Sequence, residues 1–355
     1  MEVLQPVFDG HNDLLLRLQM APRNRAAIWS GTEGGGHLDL ARMRAGGFAA
    51  GFFAVYIPSP SVPGAPDYDA MMDNPPYEVE LPAAIPLGVA QPVALSMIGH
   101  LMWMERESAG GFRLVRSVAE IEAARAAGAI AGILHFEGAE AIDERLDALH
   151  VFHAMGLRSV GPVWSRPTIF GHGVPFRFPG SPDTGPGLTD AGRRLVKECN
   201  ALGIMLDLSH LNEKGFDEVA ALSDAPLVAT HSNAHAITPS SRNLTDRQLA
   251  MIAERRGMVG LNFATVFLRE DGKRGAEIGW EPLLRHLDHL IDCLGEDHVG
   301  FGSDFDGAMV PQGIGDAAGL PRLIAALRAH GYCDGLIRKL AWENWLGLLQ
   351  RTWKD

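Results

Sequence analysis

Six side chains of metal-ligand or acid–base type, His11, Asp13, Glu137, His210, His231 and Asp304, stand at or just past the ends of short β-rich runs. His11 and Asp13 are two residues apart, so the alternation of a strand sends both to one side, where they can hold one cation together. His210 and His231 add imidazole nitrogen, a donor suited to zinc. Glu137 has two carboxylate oxygens and can bridge two ions. Two such ions would polarise a carbonyl and hold a hydroxide at neutral pH. An aspartate outside the ligand set can take and return a proton. Asp304 and Asp306 both qualify, and residue type alone does not choose between them.

Every one of these residues also has an ordinary structural explanation. A lone His-x-Asp fits a turn or a helix cap, and His210 fits a satisfied strand-end histidine. His231 is followed by Ser232 and Asn233, which suits a polar turn. Glu137 before Gly138 could be an acid at a helix N-terminus, and Asp304 and Asp306 could cap a helix. Separate explanations for all of them at one end of one fold are less economical than a single metal site.

The elements that must position them are legible as alternation. Eight β-like runs, at 7–11, 51–57, 130–135, 159–164, 204–208, 226–230, 258–263 and 298–302, are separated by helical segments. Helix starts are marked by capping-box patterns at Ser117–Glu120 and Thr245–Gln248. Helix ends are marked by Gly203 after 189–202 and by Gly295 after 282–294. Eightfold strand–helix alternation predicts an α/β fold of the (β/α)8 TIM-barrel type, whose C-terminal strand ends form the active face. A doubly wound sheet is the runner-up, but no early strand is followed by a Gly-rich phosphate turn. Nothing divides the chain, so a single domain over 1–355 is expected, with a last helix at 334–349 packed on the barrel.

Composition narrows the function classes. The chain has 31 Lys+Arg against 43 Asp+Glu, a formal charge of −12, which disfavours a nucleic-acid partner. A hydrophobic content of 46% excludes a disordered chain. Cys199, Cys293 and Cys333 are too scattered for a disulfide framework or a cysteine zinc site, and each is expected to be a small buried hydrophobe. Residues 1–9 lack a basic region followed by an apolar run, so no signal peptide and a cytoplasmic location are expected. Residues 81–104 are uncharged and long enough to span a bilayer, but they contain Pro82, Pro86, Gln91, Pro92, Ser96 and His100. They are read as a loop and a buried helix rather than a membrane segment. His37, His100, His150, His153, His286, His289, His298 and His330 are assigned to structure, and Gly34-Gly35-Gly36 to a flexible loop.

Taken in order, the stretches Asp9–Asp13, Glu137-Gly138, Asp207–His210, Thr230–Asn233, Ser241–Asn243, Gly302–Gly307 and Trp342–Leu346 resemble the renal (membrane) dipeptidase family of binuclear zinc peptidases. The resemblance covers nearly the whole chain, from Asp9 to about Leu349. It implies two Zn2+ ions per chain, with His11 and Asp13 on one, His210 and His231 on the other, and Glu137 bridging. It implies hydrolysis of small dipeptides, some with a C-terminal D-residue, by a metal-bridging hydroxide. Arg242 would pair with the substrate's free carboxylate, as a planar guanidinium can. Asp304, rather than Asp306, would carry the proton. A homodimer is what the family suggests. Other amide or lactam hydrolysis on the same barrel, or metal binding without turnover, are the competing expectations.

One position departs from the family pattern. Trp164 stands where the family carries a substrate-contacting histidine. An indole cannot accept a hydrogen bond or carry a proton, and it adds an apolar, cation-attracting face to the pocket wall. Trp164 is therefore expected to shape specificity. His172, flanked by Gly171 and Gly173, is the nearest residue that could stand in for the missing imidazole, although an ordinary loop residue is the simpler expectation.

Overall fold

The structure is a computed structural model that describes residues 4–60 and 67–354; residues 1–3 of the N-terminal stretch considered above lie outside it. The barrel strands are β1 (Val7–Asn12), β2 (Phe48–Tyr56), β3 (Ile130–Glu137), β4 (Leu157–Gly161), β5 (Met205–Leu206), β6 (Val228–Ala229), β7 (Met258–Asn262) and β8 (Val299–Gly302). Their neighbour order is β5-β4-β3-β2-β1-β8-β7-β6, all parallel. A parallel bridge between Asp207 and Val228 joins the two ends and completes the ring. A short extra strand, Phe112–Leu114, lies beside β3.

All eight sequence-predicted strands are present, and the shortened ones have a common cause. β5 and β6 keep only two ladder residues each, because side chains take over the hydrogen bonding at their ends. The Asp207 carboxylate accepts from the backbone N–H groups of Ser209 (3.1 Å) and Thr230 (2.9 Å). β4 stops at Gly161, before Pro162, which has no N–H to donate, and this puts Trp164 on the following loop. The helices Asp190–Leu202 and Glu281–Leu294 end at Gly203 and Gly295 as their sequence signals indicate. Thr245 and Gln248 form a complete capping box, whereas at the other site only Ser117 caps, because Glu120 accepts instead from the Arg116 N–H.

The end of the barrel opposite the active face is closed by the last helical segment. Trp345, fully buried, stacks on Phe8 (ring centroids 5.4 Å) and donates its indole N–H to the Phe301 carbonyl at 3.1 Å. Gly10 of β1, Gly260 of β7 and Gly300 of β8 face this indole; a Cβ at Gly10 or Gly300 would collide with it, and one at Gly260 would strike the Thr230 carbonyl and crowd the ring. The three glycines are thus the space Trp345 fills. The segment is not one continuous helix: Asp334–Arg338 and Asn344–Thr352 are joined by a π-helical turn, Lys339–Glu343.

The uncharged stretch is a loop followed by the helix Leu87–Glu107, which is long and apolar enough to cross a bilayer. One face is packed into the core through Ala90, Ala94, Met97, Ile98, Leu101 and Met104. Leu87, Val89, Leu95 and Met102 on the other side are exposed, so the helix is half buried rather than buried. Of the cysteines only Cys199 is a buried hydrophobe; Cys293 is intermediate, and Cys333 is exposed at a helix N-terminus, where its sulfur accepts from the Leu336 N–H. Replacing Trp345 with Ala should lower unfolding stability by about 3–5 kcal/mol, the range for truncating a buried large aromatic. Urea unfolding checks this, and a loss under about 1 kcal/mol would mean that the barrel floor does not depend on the indole.

Candidate metal centre

At the C-terminal ends of the strands, imidazole nitrogens of three histidines converge on one carboxylate oxygen. Glu137 Oε1 lies 2.9 Å from His210 Nε2, 3.4 Å from His231 Nε2 and 3.6 Å from His11 Nε2. His210 Nε2 and His231 Nε2 are themselves 3.1 Å apart. Asp13 Oδ2 is 3.4 Å from His11 Nε2, and Asp304 groups with His11 and Asp13 closely enough for one ion. His11, Asp13, Glu137, His210 and His231 are buried, and Asp304 is half-buried. Glu137 can accept only a limited number of protons from nitrogens crowded at this distance, and both ring nitrogens of His11 lack a hydrogen-bond partner. Buried polar atoms are ordinarily paired, so this donor set fits cations.

The histidines are oriented from behind. Thr230 Oγ1 donates its one proton to Asp207 Oδ2 at 2.6 Å, so it can only accept from His231 Nδ1 at 2.8 Å. That fixes the proton on Nδ1 and leaves the Nε2 lone pair free toward Glu137, the usual support behind a metal-binding imidazole. Ser165 Oγ lies 2.9 Å from His210 Nδ1 and holds the orientation of that ring. Asp9 ties β1 to β8 by accepting from the Ser303 N–H (2.7 Å) and hydroxyl (2.9 Å). His135 is fully buried in the barrel interior, with Nδ1 at 2.9 Å from Ser159 Oγ.

Geometry separates the two aspartates that residue type could not. Both sit at positive φ, 59° for Asp304 and 66° for Asp306, in one tight turn. Asp304 Oδ2 accepts from the Asn262 amide at 2.9 Å beside the histidines. Asp306 turns toward the opposite rim, accepting from the His37 N–H at 2.5 Å while its own N–H donates to His37 Nδ1 at 2.9 Å. His37, assigned from sequence to structure, thus lies at the rim of the site. The triple-glycine loop before it is pinned rather than free: Arg17 donates to Gly34 O, and Arg42 to Gly35 O and Gly36 O.

A cavity of about 590 Å³ opens above this floor, within the usual range for small-molecule sites, about 300–1,000 Å³. Asp13, Glu137, His210, His231 and Asp304 form part of its lining, and Arg242, Trp164, Tyr56, Phe176 and Phe267 form walls. Arg242 is buried, donating to Ser209 O, to His231 O (3.3 Å) and to Ser232 Oγ (3.5 Å), and its Nε has no partner. Among the described residues no carboxylate forms an ion pair with it. His172 does not line the cavity. Its backbone is held away by the Asn212 N–H on the His172 carbonyl (3.2 Å) and by the Gly173–Leu211 bridge. The neighbouring glycine serves close packing and not reach, since a Cβ on Gly173 would strike the Trp164 carbonyl. Asp207, Thr230, Asn262, Tyr56 and Arg166 support the site without having been assigned a role from sequence. Asp207 and Thr230 lie in stretches that carry the family resemblance and Asn262 stands at a strand end, whereas Tyr56 and Arg166 had no signal in the sequence.

Such a floor, carboxylates and imidazoles at the mouth of a parallel barrel, defines the class of metal-dependent barrel hydrolases. Residues 2–354 match the membrane dipeptidase family, peptidase family M19, and the chain belongs to that family. It is similar to a metallo peptidase of family M19 described as dipeptidase AC, at 69% identity and TM-score 0.97, covering 99% of this chain and 100% of that one. It is equally similar to a metallo peptidase from Rhodobacter sphaeroides liganded with a phosphinate mimic of the dipeptide L-Ala-D-Ala, at 70% identity and TM-score 0.97, with the same coverage. An uncharacterised protein of Klebsiella pneumoniae is 51% identical over 248 residues, 70% of this chain and 92% of that protein.

The electrostatics carry a pH prediction for protein stripped of metal by a chelator. Burial alone would lower the His11 pKa, but Glu137, Asp13 and Asp304 outweigh it and raise the group to about 10. Burial raises Asp9 to about 7, against the hydrogen bonds from Ser303. Both folded values exceed the unfolded ones, so the folded protein binds more protons and these contributions to stability are lost as pH rises. The loss runs from about 4 to 7 for Asp9 and from about 6.5 to 10 for His11. A bound cation would replace the His11 proton, whereas Asp9, held by Ser303, lies outside the candidate ligand set and titrates in both forms. The difference in Tm between loaded and stripped protein should therefore widen by a few degrees between about pH 6 and pH 9. Scanning calorimetry checks this, and a gap that narrows would reverse the assigned charge balance.

Proposed function

We propose that this protein is a zinc-dependent dipeptidase that cleaves the peptide bond of small dipeptides, including those with a C-terminal D-residue. The observation that carries the reading is the convergence of His11, His210 and His231 on Glu137 in a cavity that also presents Arg242. A nitrogen–oxygen donor set of this kind suits Zn2+, and the number of donors suits two ions. His11 and Asp13 would hold one, His210 and His231 the other, and Glu137 both. Bound ions supply Lewis acidity toward the carbonyl and make water acidic enough to attack at neutral pH.

The chain's own residues account for the remaining requirements. Arg242 sits beside His210, Nη2 to Nε2 at 3.3 Å, and receives the dipeptide's free carboxylate at a fixed distance from the metal floor. A longer peptide has no carboxylate at that point, which limits the substrate to two residues. Asp304, held by Asn262, takes a proton from the attacking water at its carboxylate and returns it to the leaving amine. Burial raises the Asp304 pKa, partly opposed by His11, which moves the group toward the range of a useful proton carrier. The likeness to a peptidase crystallised with an L-Ala-D-Ala mimic supports the substrate class.

A panel of L,L- and L,D-dipeptides, assayed with and without chelator and with zinc restored, tests this reading. Hydrolysis should require metal, and the loaded protein should contain two zinc ions per chain. Glu137→Gln keeps size but removes the bridging charge, and should lose at least one ion together with activity. Normal metal content and turnover in that variant would overturn the binuclear assignment.

Replacing Asp304 with Asn should leave metal content intact and lower kcat by about 10²–10⁴-fold, the usual contribution of proton transfer. Arg242→Lys should chiefly raise KM, because an ammonium lacks the planar fork. Cleavage of C-terminally amidated dipeptides as fast as free ones would remove the carboxylate role of Arg242.

A further inference from the structure

Behind the cavity wall lies a charge that the chemistry above does not use. Arg166 has no exposed surface, and its Nε pairs with Glu140 Oε1 at 2.8 Å, also buried. Nη2 donates to the Ile57 carbonyl at 2.6 Å and Nη1 to Ser59 Oγ at 3.3 Å. The guanidinium carbon lies over two rings, 5.3 Å from the centroid of Tyr56 and 5.0 Å from that of Trp164. Those rings meet edge to face at 5.0 Å, and both line the cavity. Tyr56 pairs in register with Glu137 on the neighbouring strand, which places the wall directly beside the metal floor.

Apolar residues of similar volume would fill this space with less desolvation penalty than a buried ion pair. What they could not do is link the end of β2, through Ile57 and Ser59, to the loop that carries Trp164. The guanidinium also changes what the wall can bind. An aromatic face attracts cations through its quadrupole, and here Arg166 already occupies a face of both rings. The cation-attracting indole expected from sequence is therefore served from within the protein. A substrate meets apolar ring surface with a positive charge behind it.

We propose that Arg166 is a positioning residue for substrate selection, holding Tyr56 and Trp164 as one wall that accepts neutral apolar side chains and disfavours cationic ones. This deepens the dipeptidase reading above and rests on it. It also gives the Trp164 departure a physical content: the position sets which side chain fits, and Arg166 sets how rigidly.

The test uses the zinc-loaded protein and dipeptides that differ only in carrying Ala, Leu or Lys at one position. Wild type should favour Leu over Lys in kcat/KM. In Arg166→Met combined with Glu140→Leu, which removes the buried pair without stranding a charge, that preference should fall by about tenfold, the scale of a desolvated cation–π contact. Arg166→Lys, which keeps the charge but not the several guanidinium donors that tie it to Ile57 and Ser59, should fall in between and serves if the double variant does not fold. Metal content should stay unchanged throughout. Equal use of Leu and Lys substrates by wild type would overturn the proposal. So would an unaltered preference, or a uniform fall across the panel, in a folded and loaded variant. Calorimetric affinities for phosphinate mimics with leucine or lysine side chains separate this from the activity itself. If wild type cleaves no dipeptide, the dipeptidase reading fails, and the mimic affinities alone decide whether the wall selects.

Discussion

The structure is organised around a concentration of like charge that the polypeptide alone cannot neutralise. Glu137, Asp13 and Asp304 are held together at the mouth of the barrel, with His11 raised to about 10 as the main protein charge set against them. Close carboxylates repel, and burial removes the water that would screen them. Such an arrangement persists only if the scaffold overdetermines it and if cations complete it. Much of the surrounding structure can be understood as meeting those two conditions.

The scaffold acts first through backbone groups. Asp207 gathers the ends of β5 and β6 by accepting from Ser209 and Thr230, and Asp9 does the same for β1 and β8 through Ser303. These bonds shorten the regular ladders where the ligands emerge, and they fix which nitrogen of His231 faces inward. At the far end, Trp345 closes the barrel against three strand glycines, so the ring is tied at both ends by side chains from outside the sheet. Rigidity at the floor helps ligand positions at the mouth to hold, since packed interiors deform little.

Two buried arginines divide the remaining tasks. Arg242 lies among carbonyls from the two histidine-bearing loops, with no ion-pair partner among the described residues, and so keeps a positive charge available in the cavity. Arg166 is paired with Glu140 and sets its guanidinium carbon over Tyr56 and Trp164. One guanidinium faces the ligand, and the other shapes the surface the ligand meets. The difference follows from partners, not from residue type.

The alternation of apolar runs with capped helical segments was enough to establish a (β/α)8 barrel, because strand and helix periods are local properties of the chain. The ligand set was legible for a related reason. In this fold the residue after a strand points to the active face, so His11, Glu137, His210 and His231 could be assigned to one place from position alone. Asp304 could not be separated from Asp306 by residue type, since the two share a turn and only the direction of each carboxylate distinguishes them. Arg166 and Tyr56 carried no signal, because their importance lies in a contact between β2 and a loop more than a hundred residues later. His172 was considered because glycines flank it, yet Gly173 is packed against the Trp164 carbonyl and His172 does not line the cavity. Element type, order and the convergence of the candidate ligand residues are thus written in local pattern, whereas the direction of a side chain and the partner that holds it depend on distant segments meeting, which only the tertiary structure decides.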